Sequence, residues 1–235
     1  MKFPALLALL LSLATFGFGQ QVAYSIHANS GLFRFGGQSA TKSSGLVLGS
    51  GRPDINYTNN PYGKNVALSY GLAAQVQKVN PKNLIYGLQA GYEILQSKVY
   101  LQHAYTLVSS APAPKASGET VFQHNFINAH PFLGKRFILN QITLDLSAGL
   151  DLGYCLQSHE KGKATDNSGQ TFISDKDRAK PGLDTRPRLG ITAYYHQVGL
   201  TAGYGHGLKN YTPQTEGANL ENYARLIRFG LVYKI

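Results

Sequence analysis

The chain is poor in the residues that usually fasten a secreted domain together. Of its 235 residues one is Cys, one is Met and none is Trp. The lone Cys155 rules out an intramolecular disulfide, so this is not a stapled mini-domain. Charge is scarce as well, at 14% of the chain against 43% apolar residues. That balance excludes a disordered chain, which is charge-rich and apolar-poor. Acidic residues are the scarcer sign, 12 against 22 Lys and Arg, for a formal net charge of +10. The basic excess forms no stripe interleaved with aromatics, which argues against nucleic acid. Anionic lipid head groups or a lipopolysaccharide layer are the partners it suits. The lack of Trp also opposes a soluble lipocalin-like binder.

Long apolar runs are missing too, with one exception. Lys2 is followed by an apolar run over residues 3–13 and then by the small residues Gly17 and Gly19. This is the pattern of a secretory signal peptide cleaved after Gly19. The run is shorter than the ~20 residues a membrane-spanning helix needs, and no later segment approaches that length. No Cys sits at the cleavage point, so a lipoprotein is not expected. The expected organisation is a leader at 1–19 and a single β domain at 20–235, which carries a net charge of +9 once Lys2 is gone.

What the sequence does contain is alternation. In ITLDLSAGLDLGYCLQ, residues 142–157, every second residue from Ile142 to Leu156 is apolar, and Thr143, Asp145, Ser147, Gly149, Asp151 and Gly153 lie between. Such a pattern means a strand with two chemically opposite faces. It recurs over 65–79, 84–97, 183–196, 198–205 and 225–235, and more weakly from Val22 and from Val121, making eight strands. Tight turns are expected at Asn80-Pro81-Lys82-Asn83, Asn140-Gln141 and His196-Gln197, and long polar loops at 37–64, 105–120, 159–180 and 209–222. Short and long connections alternate strictly. An even strand number, short turns at one end and long loops at the other describe an outer-membrane barrel. Its apolar face then meets lipid, and its polar face meets a narrow lumen where opposite charges pair.

The polar parity carries Glu93, Asp145, Asp151, Arg186, Arg188, Arg228 and Lys234. The expected arrangement is a lumen charge network in which Asp145 and Asp151 pair with Arg186 and Arg188 on the next strand or with Arg228 across the lumen. Tyr70, Tyr86, Tyr92, Tyr154, Tyr195, Tyr204 and Tyr233 fall on the apolar parity, where an amphipathic ring suits a membrane interface.

The leader followed by Gln20-Gln21, the eight alternating segments, the phrase INAHPFLGKRF at 127–137 and the closing RFGLVYKI together resemble the small outer-membrane β-barrel proteins of the Bacteroidetes porin-family or PorT-like type. The resemblance spans the whole mature chain. It implies an eight-stranded antiparallel transmembrane β-barrel in the cell envelope of a Gram-negative bacterium. Arg228, Gly230, Tyr233 and Ile235 look like a barrel-insertion signal read by the barrel-assembly machinery, with Ile in place of the commoner terminal Phe.

Little points to catalysis. His27 and His196 fall on the inward parity, with His124 and His130 on the fourth strand, but no ligand spacing supports a metal. Asp145 and Asp151 lie six residues apart, ~20 Å along a strand, too far for a glycosidase pair. The glycines of Gly203-Tyr204-Gly205-His206-Gly207 precede no helix and read as space-makers rather than as a phosphate loop. His206 points outward without an assignable Ser and acid. No catalytic, cofactor or metal site is expected, and the chain is not expected to be an enzyme. Eight strands leave an interior that side chains fill. A structural or surface-interaction role follows as the expectation, with a narrow small-solute channel and a lipid-modifying enzyme as alternatives. The sequence names no external ligand.

Overall fold

A computed structural model describes residues 21–49, 55–106, 114–212 and 219–235. The leader at 1–19 lies outside the described residues, as does most of the Pro-rich stretch at 109–114. The described chain is almost entirely strand: β1 (Gln21–Gly36), β2 (Ser43–Val47), β3 (Tyr57–Thr58), β4 (Asn65–Val79), β5 (Leu84–Tyr105), β6 (Lys115–Leu139), β7 (Ile142–Asp166), β8 (Thr171–Asp177), β9 (Leu183–Tyr195), β10 (Val198–Asn210) and β11 (Tyr223–Lys234).

Eight of these close into a ring in the order β1, β4, β5, β6, β7, β9, β10, β11 and back to β1. Each of the eight pairings is antiparallel. The closing seam runs from Ser25↔Lys234 to Gly36↔Tyr223, so no edge of the ring strands is left to pair with another chain. Three tight turns sit at one end, and each holds its left-handed residue at Asn83, Asn140 or His196. Asn tolerates positive φ better than most residues; at Asn140 and His196 the left-handed residue is the first of a two-residue turn, as in the primed turns that match strand twist, whereas Asn83 closes the four-residue turn at 80–83. The start of β1 lies at the same end as the C-terminus, where the Ile235 amide donates to the Tyr24 carbonyl at 2.9 Å.

The far end departs from the sequence reading. The stretches 37–64 and 159–180 are not simply loops, because they hold β2, β3, β8 and the upper part of β7. Strands β6 and β7 run 25 residues each, against 12 for β11, and rise as a wall past the rest of the ring. β8 pairs with β7 on that wall, while β2 adds parallel to the upper end of β5 and carries β3. A β-bulge hid this extension. Phe126 faces Cys155 but Asn125 faces Gln157, so Leu156 is one extra residue on β7. Inward positions are odd up to Cys155 and even from Ser158 through Glu160, Gly162 and Ala164. Above the bulge the outward residues are Lys161 and Lys163 instead of leucines, so the apolar alternation stops although the strand does not.

The ring is apolar outside and polar inside. Leu32, Leu72, Leu88, Leu133, Leu146, Leu189, Leu200 and Leu231, one from each ring strand, are all more than a third exposed. Inside, Glu93, Asp145, Asp151, Asp184, Arg186, Arg188 and Arg228 are buried. The exposed tyrosines fall into two groups. Tyr24, Tyr195 and Tyr233 lie toward the turn end, and Tyr70, Tyr92, Tyr154 and Tyr204 lie farther along their strands.

Candidate functional site

Charge inside the ring is concentrated at mid-height, where strands β5, β7, β9 and β11 aim their polar parity at one another. Arg228 bridges two acids, donating from Nη1 to Asp151 Oδ2 at 2.5 Å and from Nη2 to Glu93 Oε2 at 2.6 Å. Arg186 donates to the other Glu93 oxygen, and its Nε lies 3.4 Å from Asp184. Arg188 lies 3.5 Å from Asp151 and donates to Gln89 at 2.9 Å. His130 Nδ1 is 3.2 Å from the same Asp151. Three arginines thus face three carboxylates across the interior. Burying such charges is costly unless each is paired and hydrogen-bonded, and here every one has a partner of opposite sign. Gly153 makes this possible locally: a Cβ there would meet Arg186 Nη2 at 3.0 Å and Phe126 at 3.1 Å.

Two residues expected in this network lie elsewhere. Asp145 sits near the turn end and is paired by Arg136, its register partner on β6, through bonds of 2.7 and 2.6 Å. Arg186, Arg188 and Arg228 do not reach it, because six residues of strand separate it from Asp151. Lys234 lies over the Tyr194 ring at 3.5 Å, close to the Asp145 level. The histidines divide as well. His27, His124 and His130 are buried inside the ring, but His196 is an exposed turn residue with φ +54°, not an inward strand residue. Among the described residues no cluster of His, Cys, Asp or Glu is arranged to hold a metal.

Above the charges the interior is stoppered by aromatics. Phe33, Phe35, Phe122, Phe126 and Tyr211 pack there with Leu95 and Leu226. Phe35 makes edge contacts with Phe33, Tyr62, His124 and Tyr211 at centroid distances of 5.1 to 5.7 Å. The Tyr211 hydroxyl donates to Asp184 at 2.6 Å, tying the plug to the charge cluster. Each of two cavities flanking the cluster holds about 20 Å³, room for about one water.

A further buried acid lies above the plug, and the sequence reading missed it. Glu160 accepts from the Thr58 amide at 2.7 Å and from Arg178 Nε at 2.7 Å, and Arg178 also donates to the Thr58 carbonyl. This clamp holds β3 across the mouth of the ring. Arg136 was legible in principle, since it shares even parity with His124 and His130. Glu160 was not, because the bulge reverses the parity that would have marked it. On the surface beside this end, His159 lies between two acids, 2.8 Å from Asp175 and 2.8 Å from Asp177.

Of the expected insertion residues, Arg228 is buried in the cluster, Gly230 packs against the Ala28 carbonyl, and Tyr233 and Ile235 are exposed at the turn end. His206 is exposed, and its Nδ1 lies 3.2 Å from the Tyr204 hydroxyl.

No protein-family model matches the chain, and no curated protein matches it. Among solved structures it is similar to Ail, the attachment invasion locus protein of Yersinia pestis, crystallised with the heparin analogue sucrose octasulfate. That alignment has 11% identity and a TM-score of 0.35, and it covers 93% of this chain and 100% of the other. It is also similar to Neisserial surface protein A, with 11% identity and a TM-score of 0.34 over 92% of this chain and 99% of the other.

Proposed function

We propose that this chain is an eight-stranded transmembrane β-barrel of a bacterial outer membrane, with a structural or surface-interaction role and a closed interior. One observation carries the reading: an exposed apolar surface on all eight ring strands surrounds a buried, paired charge cluster. In water that surface would far exceed the few hundred Å² a soluble monomer tolerates. In a bilayer it is the lipid face, and a closed ring is the form of sheet that leaves no backbone group unpaired in hydrocarbon. The turn end and both ends of the described chain then face the periplasm, and the β5–β8 wall faces outward. The barrel-assembly machinery is the expected inserting partner, with RFGLVYKI as its signal. The aromatic plug and the one-water cavities support a filled interior over a conducting one.

Two measurements test this. The outer-membrane fraction should contain the protein in a form whose gel migration changes on boiling, and a soluble, unshifted protein would overturn the fold reading. Folded protein in planar bilayers should give no channel events, whereas stepwise conductance would replace the closed-barrel reading with the channel one.

A further inference from the structure

Three adjacent strands carry a row of cationic and titratable side chains on the outside of the ring. Arg34 on β1 is the register partner of Arg225 on β11, and Arg225 is in turn the partner of His206 on β10. All three point outward, because Phe33, Phe35, Ala224 and Leu226 on either side are buried. Side chains directly opposite across an antiparallel pair have Cβ atoms ~4.5–5.5 Å apart, and like charges placed so are unfavourable. Among the described residues no carboxylate pairs with either guanidinium. Arg225 Nη1 donates to the Ala224 and Gly207 carbonyls at 2.8 and 3.1 Å. Its side chain passes over Gly36, where a Cβ would sit 3.3 Å from Nε, and its guanidinium lies 5.8 Å from the Tyr223 ring. Two arginines gathered without an acid point to an anion supplied from outside the chain.

The surface beneath the row says which kind. One outward position toward the turn end lie Leu32, Ile227 and Tyr204, in register and exposed. Next come Ser30, Phe229 and Ala202, then Ala28, Leu231 and Leu200. The small residues of β1 leave a surface groove of about 590 Å³ lined by Ala28, Ser30, Leu200, Phe229 and Leu231. Ser30 lies four residues below Arg34, ~13 Å along the strand. An apolar groove, then one row of exposed apolar side chains at Leu32, Ile227 and Tyr204, then two arginines without a carboxylate fit an acyl chain with a phosphate at its head.

We propose that β1, β10 and β11 form a site for one phosphorylated, acylated lipid of the outer leaflet, its chain in the Ser30 groove and its phosphate on Arg34, Arg225 and His206. The proposal rests on the membrane-spanning reading above and adds to it a lipid class and a location.

The test uses the full chain folded in zwitterionic detergent, with native mass spectrometry reading bound lipid. Diphosphoryl lipid A should bind as one retained molecule per barrel, and phosphate-free lipid A at least tenfold more weakly. Arg34→Gln with Arg225→Gln should weaken diphosphoryl lipid A at least tenfold, and Ser30→Phe, which fills the groove, should weaken it several-fold. The Gln variants remove like-charge crowding, so they should keep the heat-modifiable migration of the parent. Equal binding of the two lipids, or unchanged binding by the Gln pair, overturns the site. Displacement of lipid A by millimolar inorganic phosphate overturns its lipid character, since a bare anion then suffices. A parent protein with no heat-modifiable form would instead sink the barrel reading itself.

Discussion

The same chemistry, a guanidinium or ammonium against a carboxylate, appears in two regions of this molecule with different consequences. At mid-height inside the ring, Arg228 joins Asp151 and Glu93 with all three side chains less than a tenth exposed. On the outer wall, Lys98 meets Glu119 at 3.0 Å with the two side chains 35% and 47% exposed. Water screens the second pair and competes for it, so it contributes ~0–1 kcal/mol. The first is almost wholly withdrawn from bulk water. Its worth lies less in the attraction than in what its loss would strand, since an uncompensated buried charge costs ~3–5 kcal/mol. The interior cluster is therefore an all-or-nothing device that ties four strands to one geometry, and the wall pair is an adjustable surface feature.

The sharpest way to break that contrast is to remove one charged partner from each region. Arg228→Met leaves Asp151 and Glu93 facing each other with fewer donors, and should lower stability by ~3–5 kcal/mol in reversible denaturant unfolding from lipid vesicles. Glu119→Gln should cost no more than ~1 kcal/mol. Equal losses would mean that solvent reaches the interior cluster as freely as the wall.

The outward face allows a second contrast along one strand. Leu146 and Lys163 both point out from β7, the first within the apolar surface and the second above the bulge. Leu146→Arg should cost ~2–4 kcal/mol in a bilayer if it lies near the midplane, while Lys163→Leu should change stability little. A tolerated Leu146→Arg would mean that this face does not meet lipid.

How much of this was legible in the sequence depended on whether alternation survived. Along 142–155 the faces read correctly because Leu146 and Leu152 oppose Asp145 and Asp151 with no interruption. The number of ring strands and the three tight turns followed from the same pattern. The pairing of Asp145 did not, since parity places a residue on a face but not at a height, and Arg136 was the cation at its level. Glu160, Arg178 and Thr58 were illegible for two reasons. The extra residue at Leu156 inverts parity, and above the lipid-facing zone polar side chains occupy both faces, so burial leaves no mark in hydropathy. Glu160→Gln tests that hidden clamp. A neutral amide keeps the bulk but weakens the bond from Arg178, and should cost ~1–3 kcal/mol, read as faster amide exchange at Thr58 while the ring strands stay protected. Unchanged exchange would mean that β3 is held by other contacts.

The smallest expected effect lies on the open surface beside the clamp. Hydrogen bonds from His159 and then Gln157 hold the Asp177 carboxyl below the usual carboxylate range. Asp166, at the hairpin tip, is held low by the Ser168 hydroxyl and by neighbouring backbone amides. A depressed carboxylate stabilises the fold above the ordinary pKa of ~3.9, and the contribution disappears as pH falls through the lowered value. His159→Gln removes the main donor to Asp177 and none of those to Asp166. In a carboxyl-carbon NMR titration, the Asp177 midpoint should move up toward ~3.9 while that of Asp166 stays in place. If both move, the hairpin has rearranged as a unit. If neither does, the His159 contact holds no charge in place, and the polar wall has no counterpart of the interior's fixed pairs.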